Sequence, residues 1–192
     1  MKVFDLGGNS KFRSVWERYY AEIWGFIYVV DAADTNRFEE SKATLKEMIS
    51  HKMMKDKPYI VVANKQDLAG AVPASKMKKI LGLPRKVKIY DAIVTKIEGD
   101  KANEGVQTAI SSLIGEIVEN FQKIGQKRVK DMEEQKEIEE KAHQERLKRI
   151  AELRAKQAAE EEAAQKEAAE KAAAAEQKQQ IEPNEEKKEN EN

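Results

Sequence analysis

Two short segments of the sequence hold residues whose types and order could do chemistry. The first is Asn64-Lys65-Gln66-Asp67, directly after the apolar run Tyr59–Ala63. A carboxylate at Asp67 can accept from the ring N–H and the exocyclic amine of guanine together, a two-donor match that adenine cannot offer. The Asn64 amide can tie neighbouring loops, and the alkyl stem of Lys65 can cover one face of a base. Open α/β sheets bind ligands beyond the carboxyl ends of their strands, so the placement of these four residues carries more weight than their letters. The second segment is Asp5-Leu6-Gly7-Gly8, after Val3-Phe4. An aspartate there can hold Mg²⁺ through a water, and a glycine N–H can approach a terminal phosphate. Taken alone, either segment is more often a polar turn.

Strands and helices must position these residues, and the apolar pattern supplies them. Val3-Phe4, Gly25–Val30, Tyr59–Ala63 and Val87–Tyr90 are short and rich in β-branched or aromatic residues; the first three lead into Asp5, Asp31 and Asn64. Runs without apolar–polar alternation suit strands covered on both faces. Helical spacing links Phe12, Val15, Trp16 and Tyr19, then, more loosely, Phe38, Leu45, Met48 and Ile49, and later Val106, Ile110, Leu113, Ile114, Ile117 and Phe121. Pro73 suits the first turn of a shorter helix. Strands alternating with helices predict an α/β fold with a parallel sheet.

The 192 residues carry 35 Lys+Arg, 35 Asp+Glu, two His and no Cys. Without cysteine these residues form no disulfide, thiol nucleophile, cysteine-ligated zinc site or S-palmitoyl anchor. Balanced charge argues against a general nucleic-acid binder. No run approaches the roughly 20 apolar residues that cross a bilayer. The N-terminus has neither a secretory signal nor a myristoylation glycine, and the chain reads as cytoplasmic. Charge is unevenly spread: residues 1–125 hold 20 Lys+Arg and 16 Asp+Glu, and the remaining 67 hold 15 and 19. Every glycine and aromatic ring lies in the first part. From Gln126, Ala, Glu, Lys and Gln dominate, with i,i+4 pairs such as Glu137–Lys141, Glu152–Lys156 and Glu162–Lys166. Val129, Met132, Ile138, Leu147, Ile150 and Leu153 keep no clean heptad, which favours a solvated single helix over a coiled coil. Residues 181–192 are rich in Glu, Asn and Lys and are expected to be disordered. The predicted divisions are therefore 1–125, 126–180 and 181–192.

In their order and spacing, DLGGNSKFRSVWERYY, GFIYVVDAADTNRFEE and VVANKQDLAGA resemble an ADP-ribosylation factor-like small GTPase, from Val3 to about Phe121. The charged helix beyond is similar to that of the family's ciliary branch, and Ile181-Glu182-Pro183 could stand for that branch's short Val-x-Pro-type signal. The resemblance implies a partial Ras-like (P-loop GTPase) doubly wound sheet lacking its first strands, followed by a long charged α-helix. It also implies GTP or GDP with Mg²⁺ as ligands, weak GTPase activity, and a switch at the ciliary membrane. The implied partner is another small GTPase or an effector, met through the second switch and the charged helix. Carried over residue by residue, Asp5 is the magnesium-linked switch aspartate and Gly8 senses the γ-phosphate. Asn64, Lys65 and Asp67 bind guanine, and the Ala92 N–H reaches the base oxygen. Two positions depart from the family. Asn9 replaces the Gln that orients the attacking water, as the ciliary branch also lacks that Gln, so hydrolysis is expected to be poor. Asp91 replaces a small Ser or Cys and puts an unneeded negative charge near the base.

The sequence contains no G-x-x-x-x-G-K-[ST], whose N–H cradle, Lys and hydroxyl hold phosphates and Mg²⁺, and no switch threonine to close over the metal. The family places both before the D-x-G-G strand. The chain is therefore expected to start part-way into the domain, as a truncated gene model or a shortened isoform, with any lipidated cysteines upstream. The family's first strand lies between those ending at Asp5 and Asp31. Without it, Gly25–Val30 is expected to be an exposed apolar edge prone to aggregation. The alternative reading is a nucleotide-free helical scaffold. His51 and His143 stand apart and predict no zinc site. Met53-Met54 are expected to pack under a loop, and Trp16 and Trp24 to pack internally, with Trp16 and Tyr20 offering interface surface.

Overall fold

What covers the apolar runs explains why they become strands. The computed structural model describes residues 2–94 and 104–185, with side chains through residue 166 and at Lys171. Phe26–Asp31 (β1), Tyr59–Asn64 (β2) and Ile89–Asp91 (β3) form one parallel sheet in the order β1-β2-β3. The helices are α1 (Glu17–Tyr20), α2 (Phe38–Ser50), α3 (Ala74–Ile80), α4 (Glu104–Glu119) and α5 (Phe121–Glu185), with 3-10 turns at Ser10–Val15 and Thr35–Arg37. β2 is central. Ile60 and Val62 pack in a cluster with Ala109 and Leu113 of α4, while Val61 and Ala63 join Leu45 of α2 and Met77 of α3. All four β2 residues are at most 1 % exposed, which accounts for a run without alternation. The register sets Asp31 beside Asn64 and Ala63 beside Asp91, so the polar strand ends share one edge of the sheet. Gly25 enters β1 where no side chain fits, since a Cβ would lie 2.7 Å from Pro58 O and 3.1 Å from Leu113 Cδ1.

This is a mixed α/β fold with a partial Ras-like sheet, and β1 is its edge. Among the described residues β1 pairs with β2 alone, and Val29 is 58 % exposed. Three expectations need correction. Val3-Phe4 is not a strand: no neighbouring strand takes its hydrogen bonds, Val3 is 73 % exposed, and the Phe4 ring packs 4.6 Å from that of Tyr19 instead. Tyr20 offers no interface surface, because it is buried in the larger cluster, and burial pushes its hydroxyl up to about 12. Pro73 stands one position earlier than expected, at the N-cap of α3, with extended backbone. Met53 and Met54 are buried.

The chain forms two compact units, Met1–Lys136 and Glu137–Asn192. The first unit runs past residue 125 because the first turns of α5 pack on it, with Ile124 2 % exposed. In the second unit every residue from Glu137 to Lys166 is exposed, including Leu147 and Leu153. Glu162 and Lys166 pair at 2.6 Å, and Lys156 pairs forward with Glu160 at 3.8 Å. Helix continues to Glu185, five residues into the segment expected to be disordered; residues 186–192 lie outside those described.

Candidate functional site

At the end of β2 the chain turns through Lys65 in the left-handed region, φ 66°, uncommon for a residue with a Cβ. Gln66 holds that turn. Its N–H donates to Ala92 O at 3.2 Å, and its side-chain amide donates to Val72 O at 3.0 Å and Ala63 O at 3.3 Å. Asn64 Oδ1 accepts from the Val94 N–H at 3.2 Å, tying the end of β2 to the segment after β3. Lys65 Nζ lies 2.7 Å from Asp31 Oδ2 at the neighbouring strand end. That hydrogen bond holds the Asp31 carboxyl below the usual carboxylate value and the Lys65 ammonium above the usual lysine value. Both partners are partly exposed, so the pair orients the lysine more than it stabilises the fold.

Asn64, Lys65, Asp67, Leu68 and Val94 line a cleft of about 380 Å³. Leu68 and Val94, 47 % and 52 % exposed, add apolar surface of the kind a planar base packs against. Asp67 is exposed, and its carboxylate makes no hydrogen bond among the described residues. The cleft thus combines an uncommitted two-oxygen acceptor, an oriented alkyl stem and apolar walls.

Ala92 and Asp91 do not do what the sequence suggested. Ala92 is buried and its N–H donates to Ala63 O at 3.0 Å, extending the β2–β3 pairing by one bond. In this arrangement that N–H is not free for a base oxygen. Asp91 Oδ1 accepts from the Ala74 N–H at 2.7 Å, at the start of α3, where Pro73 has no side chain to cap with. The negative charge therefore meets the positive end of a helix rather than the base cleft.

Asp5 and Gly8 are exposed and neither lines the cleft. The segment between them is held from the chain ahead: Trp16 Nε1 donates to Gly7 O and Arg13 Nε to Gly8 O, each at 3.1 Å. Asn9 caps the following 3-10 turn, its Oδ1 accepting from the Lys11 N–H at 3.0 Å. Among the described residues no three acidic or histidine side chains gather in a metal-binding group. Asp5 would hold Mg²⁺ only as one water-bridged ligand, and the described residues supply no metal-binding group of acidic or histidine ligands beside it.

A three-stranded parallel sheet with helices on both faces, and a cleft beyond its central strand, defines a partial Ras-like α/β domain. The sequence profile of the ADP-ribosylation factor family matches residues 1–117, and the chain belongs to that family. It is 39 % identical over 124 residues to ADP-ribosylation factor-like protein 13B of Chlamydomonas reinhardtii, covering 63 % of this chain and 24 % of that protein. It is 39 % identical over 83 residues to ADP-ribosylation factor-like protein 3 of the same organism, covering 43 % of this chain and 47 % of that one. The chain thus spans about a quarter and about half of these relatives' lengths. Among solved structures, the Arl6 BBS3 small GTPase of Trypanosoma brucei with bound GppNp is 30 % identical, with a TM-score of 0.49 over 59 % of this chain and 72 % of that one.

Sequence reasoning missed Asp31, Gln66, Leu68 and Val94. Asp31 was legible in part, as the polar residue ending a strand that a parallel sheet would set beside β2. Gln66 and the two apolar walls carry no spacing signal, because loop geometry alone brings them to the site.

Proposed function

We propose that this chain carries the base-recognising half of a guanine-nucleotide-dependent switch that binds GTP and hydrolyses it weakly. The observation that carries the reading is the uncommitted Asp67 carboxylate in a cleft beyond β2, between the Lys65 stem and the Asn64-tied loop. In this reading Asp67 accepts both guanine donors, Lys65 covers one face of the ring, and Asn64 fixes the loop after β3. Asp5 would hold Mg²⁺ through a water, and the Gly8 N–H would meet the terminal phosphate. The metal would neutralise phosphate charge. The Ala92 N–H serves the base oxygen only by giving up Ala63 O. With the Asn9 Oδ1 engaged in capping, that oxygen is not free to accept from a water, in keeping with slow hydrolysis.

Family membership and likeness to ADP-ribosylation factor-like protein 13B support a place in cilium assembly or ciliary membrane trafficking. The partner would be another small GTPase or an effector, and the exposed charged helix from residue 137 would serve binding or localisation. A second reading, a nucleotide-free helical scaffold, is favoured by one observation, the engagement of the Ala92 N–H.

Titration of fluorescent GDP and GTP into the 192-residue chain, with and without Mg²⁺, separates the two. Micromolar or tighter, guanine-selective binding is expected, and its absence hands the chain to the scaffold reading. Asp67→Asn should relax the preference for GTP over xanthosine triphosphate by about 10- to 100-fold, the loss of a charged two-donor contact. An unchanged preference would remove Asp67 from its assigned role.

A further inference from the structure

Lys57, in the loop before β2, has a fully buried side chain. Its ammonium donates to Tyr20 O and, at 3.3 Å, to Ala21 O, the carbonyls that close α1. A helix end leaves such carbonyls without intrahelical partners. The counter-charge comes from α5: Asp131, 7 % exposed, lies 3.4 Å from Lys57 Nζ. Lys127, one turn earlier, donates to both Asp131 oxygens at 2.7 Å and to Lys52 O at 3.0 Å. Arg128 of α5 donates to Glu22 O and lies over the Trp24 ring, which stacks on Phe121. The start of α5 is thus tied to three successive carbonyls at the end of the segment that begins with Asp5, to Glu22 O directly through Arg128 and to Tyr20 O and Ala21 O by way of Lys57. From α1 the contacts lead back to the glycines, through Trp16 to Gly7 O and Arg13 to Gly8 O.

A buried ammonium persists only with a counter-charge and acceptors. Asp131 supplies the charge and α1 supplies the acceptors, so Lys57 keeps its seat only while both elements keep theirs. We infer that Lys57 and Asp131 are positioning residues that couple the Asp5–Gly8 segment to the first turns of α5. Drawing α5 off its seat loosens the glycine segment, and displacing that segment loosens α5, because coupling between two sites is reciprocal. A partner that grips α5 near Asp131 therefore acts on the Asp5–Gly8 segment without touching it. The use of this coupling as a nucleotide signal rests on the switch reading above; the coupling itself does not.

Hydrogen exchange of the 192-residue chain, read by mass spectrometry without nucleotide, tests it. Asp131→Asn keeps the shape and removes the charge. Exchange across residues 11–23 should become about tenfold faster or more, a local opening that leaves the β2 amides of Ile60–Ala63 protected. Asp131→Glu should return it to within about twofold of the unmodified chain, since charge and acceptor are restored. Glu134→Gln, which removes the exposed pair with Lys52, should change nothing. If Asp131→Asn also opens β2, the double variant Lys57→Met/Asp131→Leu decides. An apolar pair restores packing and β2 protection, but the α1 carbonyls still lack their donor, so residues 11–23 stay fast. Unchanged exchange at 11–23 in Asp131→Asn, or full protection there in the double variant, overturns the coupling. Failure of the GDP and GTP titration would leave this result standing, and the reverse holds too.

Discussion

Asn64–Asp67 and Asp5–Gly8 follow apolar runs of similar character, yet the structure treats them differently. The run before Asn64 lies between two other strands and is buried on both faces. The tetrad inherits that order, with a left-handed turn braced by three hydrogen bonds and a lysine fixed on the next strand. Among the described residues Val3-Phe4 has no strand beside it, and Asp5, Gly7 and Gly8 are exposed. The Asp5–Gly8 segment is held from the far side, through Trp16, Arg13 and the seat of α1 on Lys57. The letters of a motif decide what it can touch, and flanking backbone decides where it does so.

The largest test of this contrast compares Ile60→Ala with Val3→Ala. Ile60 is fully buried and should lose about 2–5 kcal/mol of stability in urea unfolding. Val3→Ala should stay within about 0.5 kcal/mol, as an exposed site does; a comparable loss would mean that Val3 is part of the sheet. Gly25→Ala comes next. Its Cβ would press on Pro58 O and Leu113, and the overpacked entry to β1 should cost about 1–3 kcal/mol on the same assay.

A subtler prediction concerns the far-side anchor. Burial pushes the Lys57 ammonium down to about 8 from an ordinary 10.5. Between those values the unfolded chain holds a proton that the folded chain has released, so this group adds stability as pH rises. Thermal midpoints of the parent minus those of Lys57→Met should therefore climb between about pH 8 and 10. Tyr20 acts in the opposite sense only above its ordinary 10.0. A flat difference would mean that Lys57 is solvated. The smallest effect belongs to the Asp31–Lys65 pair. Because the Asp31 carboxyl is held low, its contribution is complete above its ordinary 3.8 and fades as pH falls below that value. Asp31→Asn should flatten the parent's loss of stability in that acidic window, and equal acid profiles would show the pair to be inert.

Most of the sheet was legible because burial on both faces writes an uninterrupted apolar run, as at Tyr59–Ala63. α2 announced itself through Phe38, Leu45 and Met48, which one helix face buries together. The failed strand at Val3-Phe4 had the right composition, but composition cannot report whether a pairing partner stands alongside. Of the residues that line the cleft, Asn64, Lys65 and Asp67 were readable because they follow a strand directly. The engagement of the Ala92 N–H and the turning of Asp91 to α3 depend on loop paths that no periodicity encodes. Lys57 and Asp131 were invisible for a different reason: in a chain this rich in charge, nothing in the sequence marks a buried pair.

The long helix also affects how the molecule reports on its own unfolding. α5 spans 65 residues, and from Glu137 to Lys166 it buries nothing. Melting that stretch exposes almost no new apolar surface, so it adds little heat capacity and little denaturant sensitivity. It frays gradually, as an unsupported helix does, whereas the first unit should melt in one cooperative step. Ellipticity at 222 nm, dominated by α5, will therefore slope broadly across temperature. The two tryptophans, both in the first unit, will report a sharp transition, and the two traces will not superimpose even though each unit behaves simply.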